Sequence, residues 1–247
     1  DREDMSIFCN GKMVNLTIYR PPCSHNDTLP ALIYLHGGGW ILEVDEAYDY
    51  ICPKIAVEAG CAVFYVHYSL APEGPFPTAV EECYSTYAWL ANPANAFLKV
   101  DPARIAVAGD SAGGNLAIAL CLLAQQRELE HKPKFQALFY PVTNDQLNTS
   151  SYFEFSKEYP LNRRLMEWFW DLYVPGKDNE ERKNPLACPL KATKEQLQTL
   201  PPTLLVTAEA DVLRDEGEEF ARKLLDAGVK VNCMRVLGTL HGFVSSA

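Results

Sequence analysis

The 247 residues of this chain are enough to bury one large core, and because chains of this length commonly form one domain, we predict a single domain over 1–247. With 48% hydrophobic and 22% charged residues, the composition is that of an ordinary globular protein and excludes a disordered or fibrous one. A formal net charge of -10 disfavours binding to nucleic acids and to anionic membrane surfaces.

The apolar stretches and the cysteines indicate whether the chain spans a membrane and in which compartment it is found. The longest apolar stretches, 61–66 and 116–124, are much shorter than the roughly 18 to 20 residues of a transmembrane helix, so we predict no membrane span. Eight cysteines show neither CxxC pairs nor zinc-ligand spacing, which predicts free, mostly buried thiols and no metal site. The N-x-S/T sequons at Asn15, Asn26 and Asn148 are weak evidence for secretion. We therefore expect a cytoplasmic protein, with secretion left open.

Short apolar runs alternate with helical patterns through the first half of the chain. The runs at 31–35 and 61–67 are nearly continuous, as in strands that helices bury on both faces. The stretch 15–20 is rich in β-formers and precedes Pro21, which predicts an edge strand. This alternation predicts an α/β fold with a mostly parallel central sheet flanked by helices. The predicted strands are 15–20, 31–35, 61–67, 104–108, 136–140, 203–207 and 229–236, and the predicted helices are 45–59, 78–90, 111–130 and 215–227.

A long connection separates two of the predicted core strands. The 62 residues between 136–140 and 203–207 far exceed the dozen or so that a simple crossover needs. We predict an insertion at about 146–200 that forms a lid over the end of the sheet. Its aromatic residues either pack the lid onto the core or line a substrate pocket. These residues are Trp168, Phe169, Trp170 and Tyr173.

The segment Gly109-Asp110-Ser111-Ala112-Gly113 matches the pattern G-x-S-x-G between a predicted strand and a predicted helix. In that context the pattern indicates a nucleophile elbow, a tight turn that exposes the serine hydroxyl over the sheet edge. Flanking glycines remove the Cβ atoms that would clash in such a turn. Ser111 is therefore the candidate nucleophile.

A glycine run follows another predicted strand, in His36-Gly37-Gly38-Gly39-Trp40. Glycines allow backbone N–H groups to approach a ligand, and acyl transfer needs such donors for the oxyanion of the tetrahedral intermediate. Gly38 and Gly39, together with the amide of Ala112, are the candidate oxyanion hole. The alternative, a phosphate-binding loop, lacks its usual glycine and lysine spacings here.

Five motifs in this order resemble the hormone-sensitive-lipase-like family of α/β-hydrolase esterases, over nearly the whole chain. The resemblance implies a catalytic triad of Ser111, Asp211 and His241 and an oxyanion hole on Gly38 and Gly39. It also implies uncharged ester substrates with short to medium acyl chains, and no metal or organic cofactor. The motifs are HGGGW from His36, YSLAPE from Tyr68, GDSAGGN from Gly109, DVLRDE from Asp211 and HGF from His241.

Chain order supports the same triad, because Ser, then acid, then His is the order in α/β-hydrolases. His241 is the histidine that follows the last predicted strand, and Asp211 follows 203–207 by a few residues. Asp215 begins the predicted helix 215–227, so we assign it an N-cap role.

The predicted function is a serine carboxylesterase that acts on a small-molecule ester through an acyl-enzyme. Trp40 and Phe243 are candidate pocket walls, and a homodimer is left open. Two departures from the family are a short segment before the first predicted strand, which predicts a reduced cap, and no closing helix after His241. The alternatives are an amide or lactone hydrolase with the same triad and a non-catalytic small-molecule receptor on the same fold.

Overall fold

The computed structural model describes residues 1–9, 11–43 and 45–245. Eight strands form one sheet: β1 Arg2–Cys9, β2 Lys12–Tyr19, β3 Leu29–Leu35, β4 Ala62–His67, β5 Val100–Asp110, β6 Gln136–Phe139, β7 Thr203–Ala210 and β8 Val231–Leu240. Seven α-helices of these residues accompany it: α1 Asp45–Ala59, α2 Thr78–Leu90, α3 Ala112–Gln126, α4 Ser150–Glu154, α5 Arg163–Tyr173, α6 Lys194–Leu197 and α7 Arg214–Asp226.

The strand order is β1-β2-β4-β3-β5-β6-β7-β8. β2 pairs antiparallel with both β1 and β4, and the pairs from β4 to β8 are parallel. The predicted α/β-hydrolase fold with a mostly parallel sheet is confirmed. Because the parallel strands point the same way, their carboxyl ends meet at one edge of the sheet, where α/β folds bind ligands.

The outermost strand on one side corrects the sequence prediction. The stretch 15–20 was predicted to be an edge strand, but it lies in β2, which is paired on both sides. β1 forms the edge instead, and most of its residues are solvent-exposed. Its sequence REDMSIFC begins with three charged residues, so its hydrophobic pattern is weak, and pairing with β2 makes it a strand. The first strand therefore begins at Arg2 rather than near residue 15.

Alternate residues of the central strands belong to two hydrophobic clusters. Ile33 and Leu35 of β3 pack in the larger cluster with α2, α3 and α7, while Tyr34 packs in a second cluster with α1. This alternation of side chains across a strand places the clusters on opposite faces of the sheet. Beside α1 lies an apolar groove of about 520 Å³, whose lining includes Leu32, Ile55, Ala106, Ala137 and Phe139.

The prediction of free, mostly buried cysteines is confirmed, because six of the eight thiols are buried and none is in a disulfide. The two exposed thiols belong to Cys23 and Cys233. None of the helices in the described residues combines the length and apolar character needed to cross a bilayer.

Candidate active site

Ser111 lies at a sharp turn between β5 and α3. Its backbone has φ 55° and ψ -119°, a left-handed conformation that side chains other than glycine rarely adopt. The turn is held by the Ser111 N–H, which donates to the carbonyl of Phe139 at 2.9 Å. A Cβ atom at Gly113 would overlap the carbonyl oxygen of Leu35, so only glycine permits α3 to start this close to β3. The hydroxyl makes no capping bond to α3 and borders a cavity instead.

Three side chains from distant parts of the sequence form a hydrogen-bonded chain. Ser111 Oγ lies 3.0 Å from His241 Nε2, and His241 Nδ1 lies 2.7 Å from Asp211 Oδ2. The other oxygen of Asp211, Oδ1, accepts from the Leu213 N–H at 2.9 Å. Each of the three residues directly follows a strand: Ser111 follows β5, Asp211 follows β7 and His241 follows β8. The structure thus brings together the three residues that the sequence predicted as a triad.

Asp211 is the most deeply buried of the three hydrogen-bonded residues and His241 the most exposed. The Asp211 side chain is fully buried, whereas 13% of the His241 side chain is exposed. The His241 ring packs on Tyr140, with ring centroids 4.6 Å apart, and Tyr140 also contacts Phe243 edge-on. Tyr140 directly follows β6, so it reaches the site from the same sheet edge. The sequence analysis missed it, although its position as the last residue of the predicted core strand 136–140 was a usable signal.

The glycine loop after β3 borders the same cavity. Gly38 and Gly39 have positive φ angles of 107° and 62° and line the cavity beside Ser111. In the described part of the chain, their N–H groups donate to no protein acceptor, whereas the Gly38 carbonyl accepts from Ile41 and Leu42. Ala112 is the first residue of α3, and the first N–H groups of a helix have no acceptor within it. These three amides are therefore available to a ligand.

The cavity has a volume of about 200 Å³. Segment 146–200 supplies Pro160, Leu161, Leu165 and Phe169 to its wall, so one of the four predicted lid aromatics faces the site. Its lining residues are Gly38, Gly39, Tyr48, Asp110, Ser111, Pro160, Leu161, Leu165, Phe169, His241, Gly242 and Ser245. The sequence analysis gave no pocket role to Tyr48, Asp110 or the leucines. Tyr48 and the leucines are remote from Ser111 in the sequence, and Asp110, although it directly precedes Ser111, entered the analysis only as part of the motif.

The two predicted pocket walls, Trp40 and Phe243, are not among the lining residues. Trp40 is buried, and its ring stacks on Tyr173 at 4.2 Å and contacts Trp170 at 5.1 Å. Trp40 therefore joins the glycine loop to α5 instead of facing the cavity. Trp170 and Tyr173 accordingly pack the insertion onto the core, whereas Trp168 is exposed.

The structure also corrects the N-cap assignment of Asp215. Helix α7 begins at Arg214 with Leu213 at its N-cap position, so Asp215 lies within the first turn. Its carboxylate accepts from the Ser151 N–H at 2.8 Å and from Arg214 Nε at 2.9 Å. Asp215 therefore joins α7 to α4, and hydrogen bonding to Arg214 and Ser151 holds its pKa below the ordinary value despite the opposing effect of burial.

Glu216, next to Asp215, is a fully buried carboxyl group behind the site. Its Oε1 accepts from the N–H groups of Thr143 at 2.6 Å and Asn144 at 3.1 Å, which holds the loop after β6. Burial raises the pKa of Glu216 to about 8, and these hydrogen bonds offset only part of that effect.

Because folded Glu216 keeps its proton up to about pH 8 and the unfolded carboxyl loses it near 4.5, the folded state binds more protons between these values. The free energy of unfolding should therefore decrease as pH rises through this range, by up to about 1.4 kcal/mol per pH unit from this group. In Glu216→Gln, which resembles the protonated acid, the decrease between about pH 6.5 and 8 should be weaker. Urea unfolding at several pH values measures both slopes, and equal slopes would show that Glu216 is ionised in the folded protein.

Comparison with known proteins agrees with this architecture. A family described as alpha/beta hydrolase fold matches residues 32–245. A fungal esterase structure from Rhizomucor miehei superposes with a TM-score of 0.95 at 45% identity, covering 99% of this chain and 76% of that one. The carboxylic ester hydrolase LipN of Mycobacterium tuberculosis is 37% identical over 99% of this chain, and the ethyl acetate hydrolase of Pseudomonas putida is 37% identical over 98%.

The chain spans 65% of the length of LipN and 75% of the length of the Pseudomonas putida enzyme. The sheet order, the turn at Ser111 and the matched family define an α/β hydrolase. The chain belongs to the hormone-sensitive-lipase-like family of α/β-hydrolase esterases, and its enzyme class is that of the carboxylic-ester hydrolases. The alternative of a non-catalytic receptor is therefore wrong.

Proposed function

We propose that this chain is a serine carboxylesterase in which Ser111 is the nucleophile, His241 the general base and Asp211 the acid that orients it. The observation that carries the proposal is the chain of hydrogen bonds from Ser111 Oγ to His241 at 3.0 Å and from His241 to Asp211 at 2.7 Å. Asp211 accepts a hydrogen bond from the Nδ1–H of the His241 ring, which leaves Nε2 free to take the serine proton.

The reaction proceeds in two steps through an acyl-enzyme. Ser111 Oγ attacks the ester carbonyl carbon while its proton moves to His241 Nε2, and the alcohol then leaves with that proton. A water molecule next gives a proton to Nε2 as its oxygen attacks the acyl carbon, and the carboxylic acid leaves as Ser111 regains its proton. The amides of Gly38, Gly39 and Ala112 stabilise the oxyanion formed in both steps.

The cavity supports small, uncharged esters with short to medium acyl chains. Its volume of about 200 Å³ lies below the range of about 300 to 1,000 Å³ that is typical of pockets for drug-sized ligands. Leu161, Leu165 and Phe169 make its wall apolar on the side of segment 146–200, which we propose acts as a lid on a single α/β-hydrolase domain. A homodimer and a cytoplasmic location stay predictions of the sequence.

Chemical labelling tests the nucleophile directly. A fluorophosphonate should modify the protein once, and peptide mapping should find the adduct on Ser111, because His241 activates its hydroxyl. Ser111→Ala should take up no label. An adduct on another residue of the active protein would overturn the assignment.

Acyl-chain length tests the substrate class. We expect p-nitrophenyl acetate and butyrate to be hydrolysed with a higher kcat/KM than p-nitrophenyl palmitate, because the cavity has room for only a short chain. Including an aryl acetamide and a lactone in the same panel separates ester hydrolysis from the amide and lactone alternatives. Faster turnover of the palmitate would instead indicate a lipase.

A further inference from the structure

A buried carboxylate stands directly before the proposed nucleophile. Asp110 is 2% exposed and, among the residues that the structure describes, forms no ion pair with a lysine or arginine. Its Oδ1 accepts from the hydroxyl of Tyr34 at 3.1 Å, and the Tyr48 hydroxyl lies 3.0 Å from both of its oxygens. Burial of a carboxylate without a cation is unfavourable, and such groups are concentrated at functional sites.

Burial raises the pKa of Asp110 to about 6, although the hydrogen bonds from Tyr48 and Tyr34 and the nearby His241 favour its ionised form. The tyrosines belong to α1 and β3, and His241 follows β8. The carboxylate is thus held by two hydroxyl groups and by a backbone hydrogen bond from Gly37 rather than by a fixed positive charge.

The Tyr48 hydroxyl also accepts a hydrogen bond from the backbone N–H of Gly37 at 2.8 Å. An amide N–H can only donate, so the Tyr48 oxygen is the acceptor there and its single proton is directed to Asp110. The resulting chain runs from Gly37 N–H to Tyr48 to the Asp110 carboxylate. It joins the residue before Ser111 to the residue before Gly38.

The glycine loop also lies directly against this carboxylate. A Cβ atom on Gly37 would lie 2.5 Å from Asp110 Oδ2, so any other side chain would force the loop and the carboxylate apart. Gly38 and Gly39 follow at once and carry the amides that face the cavity. A shift of Gly37 therefore moves these amides relative to Ser111.

We propose that Tyr48 and Asp110 are positioning residues that hold the Gly38 and Gly39 amides in register with Ser111 for oxyanion binding. The proposal rests on the proposed function, because it assumes that these amides receive the oxyanion. Donors in an oxyanion hole act only at about 2.7 to 3.1 Å from the oxyanion, and a misplacement of about 1 Å can cost about 100-fold in rate. Loss of the single Tyr48 hydroxyl that positions the glycine loop should therefore lower the rate measurably.

Tyr48→Phe removes the linking hydroxyl and leaves the ring. We expect kcat to fall about 10- to 100-fold, with KM changed by less than about threefold, because the loss affects the transition state rather than ester binding. The matched control is Tyr34→Phe, which removes the other tyrosine hydroxyl bonded to Asp110 but none bonded to Gly37. It should keep kcat within about threefold of the wild type.

A tetrahedral analogue provides a readout that general loss of structure would not reproduce. Inhibition by a trifluoromethyl ketone, which forms an oxyanion on Ser111, should weaken in Tyr48→Phe by about the same factor as kcat/KM. Inhibition by the product alcohol, a ground-state ligand, should not change. Equal kcat in the two phenylalanine variants, or unchanged ketone inhibition in Tyr48→Phe, would overturn the proposal.

Asp110→Asn tests the other end of the chain of hydrogen bonds that runs from Gly37 through Tyr48 to Asp110, and it serves if Tyr48→Phe does not fold. It keeps the volume of the side chain but replaces one acceptor oxygen by a donor, and we expect the same loss of kcat and of ketone inhibition. When both variants fold, the double variant should lose little more activity than the worse single variant, because both substitutions interrupt the same chain of hydrogen bonds. Full additivity would contradict a shared role. Failure of the wild type to hydrolyse any ester, or labelling away from Ser111, would refute the proposed function instead.

Discussion

Ser111→Ala should lower kcat by roughly 10⁴- to 10⁶-fold, the largest loss that we expect from any single substitution in this chain. The hydroxyl is the proposed nucleophile of the acyl-enzyme, and His241 Nε2 lies 3.0 Å from it. Loss of Oγ removes the proposed nucleophile but leaves the amides of the proposed oxyanion hole and the cavity unchanged. A residual rate above that of the uncatalysed reaction should therefore remain.

The structural cost of Ser111→Ala should be small. The serine makes no side-chain cap on α3, so alanine loses the bond to His241 and little else, while the strained backbone is retained. Steady-state kinetics with p-nitrophenyl acetate and urea unfolding of both proteins measure these effects. KM for the ester should change little. A variant that kept more than about a hundredth of the wild-type kcat, after contaminating enzyme was excluded by active-site titration, would contradict a serine nucleophile.

Asp211→Asn should lower kcat by roughly 10²- to 10⁴-fold. The orientation of the new amide follows from its neighbours. The oxygen at the position of Oδ1 accepts from the Leu213 N–H at 2.9 Å, so the asparagine keeps its carbonyl there and places its NH₂ group toward His241. The His241 Nδ1 must then accept, which moves the ring proton to Nε2. In that tautomer the ring cannot accept the proton of Ser111.

The control for this variant is Asp215→Asn, four residues along the same motif. Asp215 bonds Ser151 and Arg214 rather than His241, so this change should keep kcat within a few-fold of the wild type. Both variants should retain the far-ultraviolet circular dichroism of the folded protein. If Asp215→Asn were the inactive variant and Asp211→Asn the active one, the acid of the triad would be Asp215.

Short patterns in the sequence were sufficient to predict the triad. Ser111 stands between a strand and a helix, and Asp211 and His241 each come just after a strand. The carboxyl ends of parallel strands meet at one edge of the sheet, so knowledge of the strands alone places these residues close together. The observed chain of hydrogen bonds among the three side chains agrees with that expectation.

Other positions depended on partners that are remote in the chain. The charged start of β1 has a weak strand pattern, and its pairing with β2 decides its structure. Trp40 directly follows the glycine loop, yet its ring is stacked on Tyr173 and does not line the cavity. Asp215 is not the predicted N-cap, because α7 begins at Arg214 and Asp215 therefore lies inside the first turn of the helix.

Tyr48 and Asp110 show most clearly the difference between what local sequence predicts and what depends on partners remote in the chain. Asp110 belongs to a recognised motif and Tyr48 to a predicted helix, but the bond between them and Gly37 joins three separate elements. Hydrophobic periodicity and turn residues report which face of an element is buried and where that element ends. They do not report which two buried polar groups meet, because that depends on how the elements pack, and only the tertiary structure decides it.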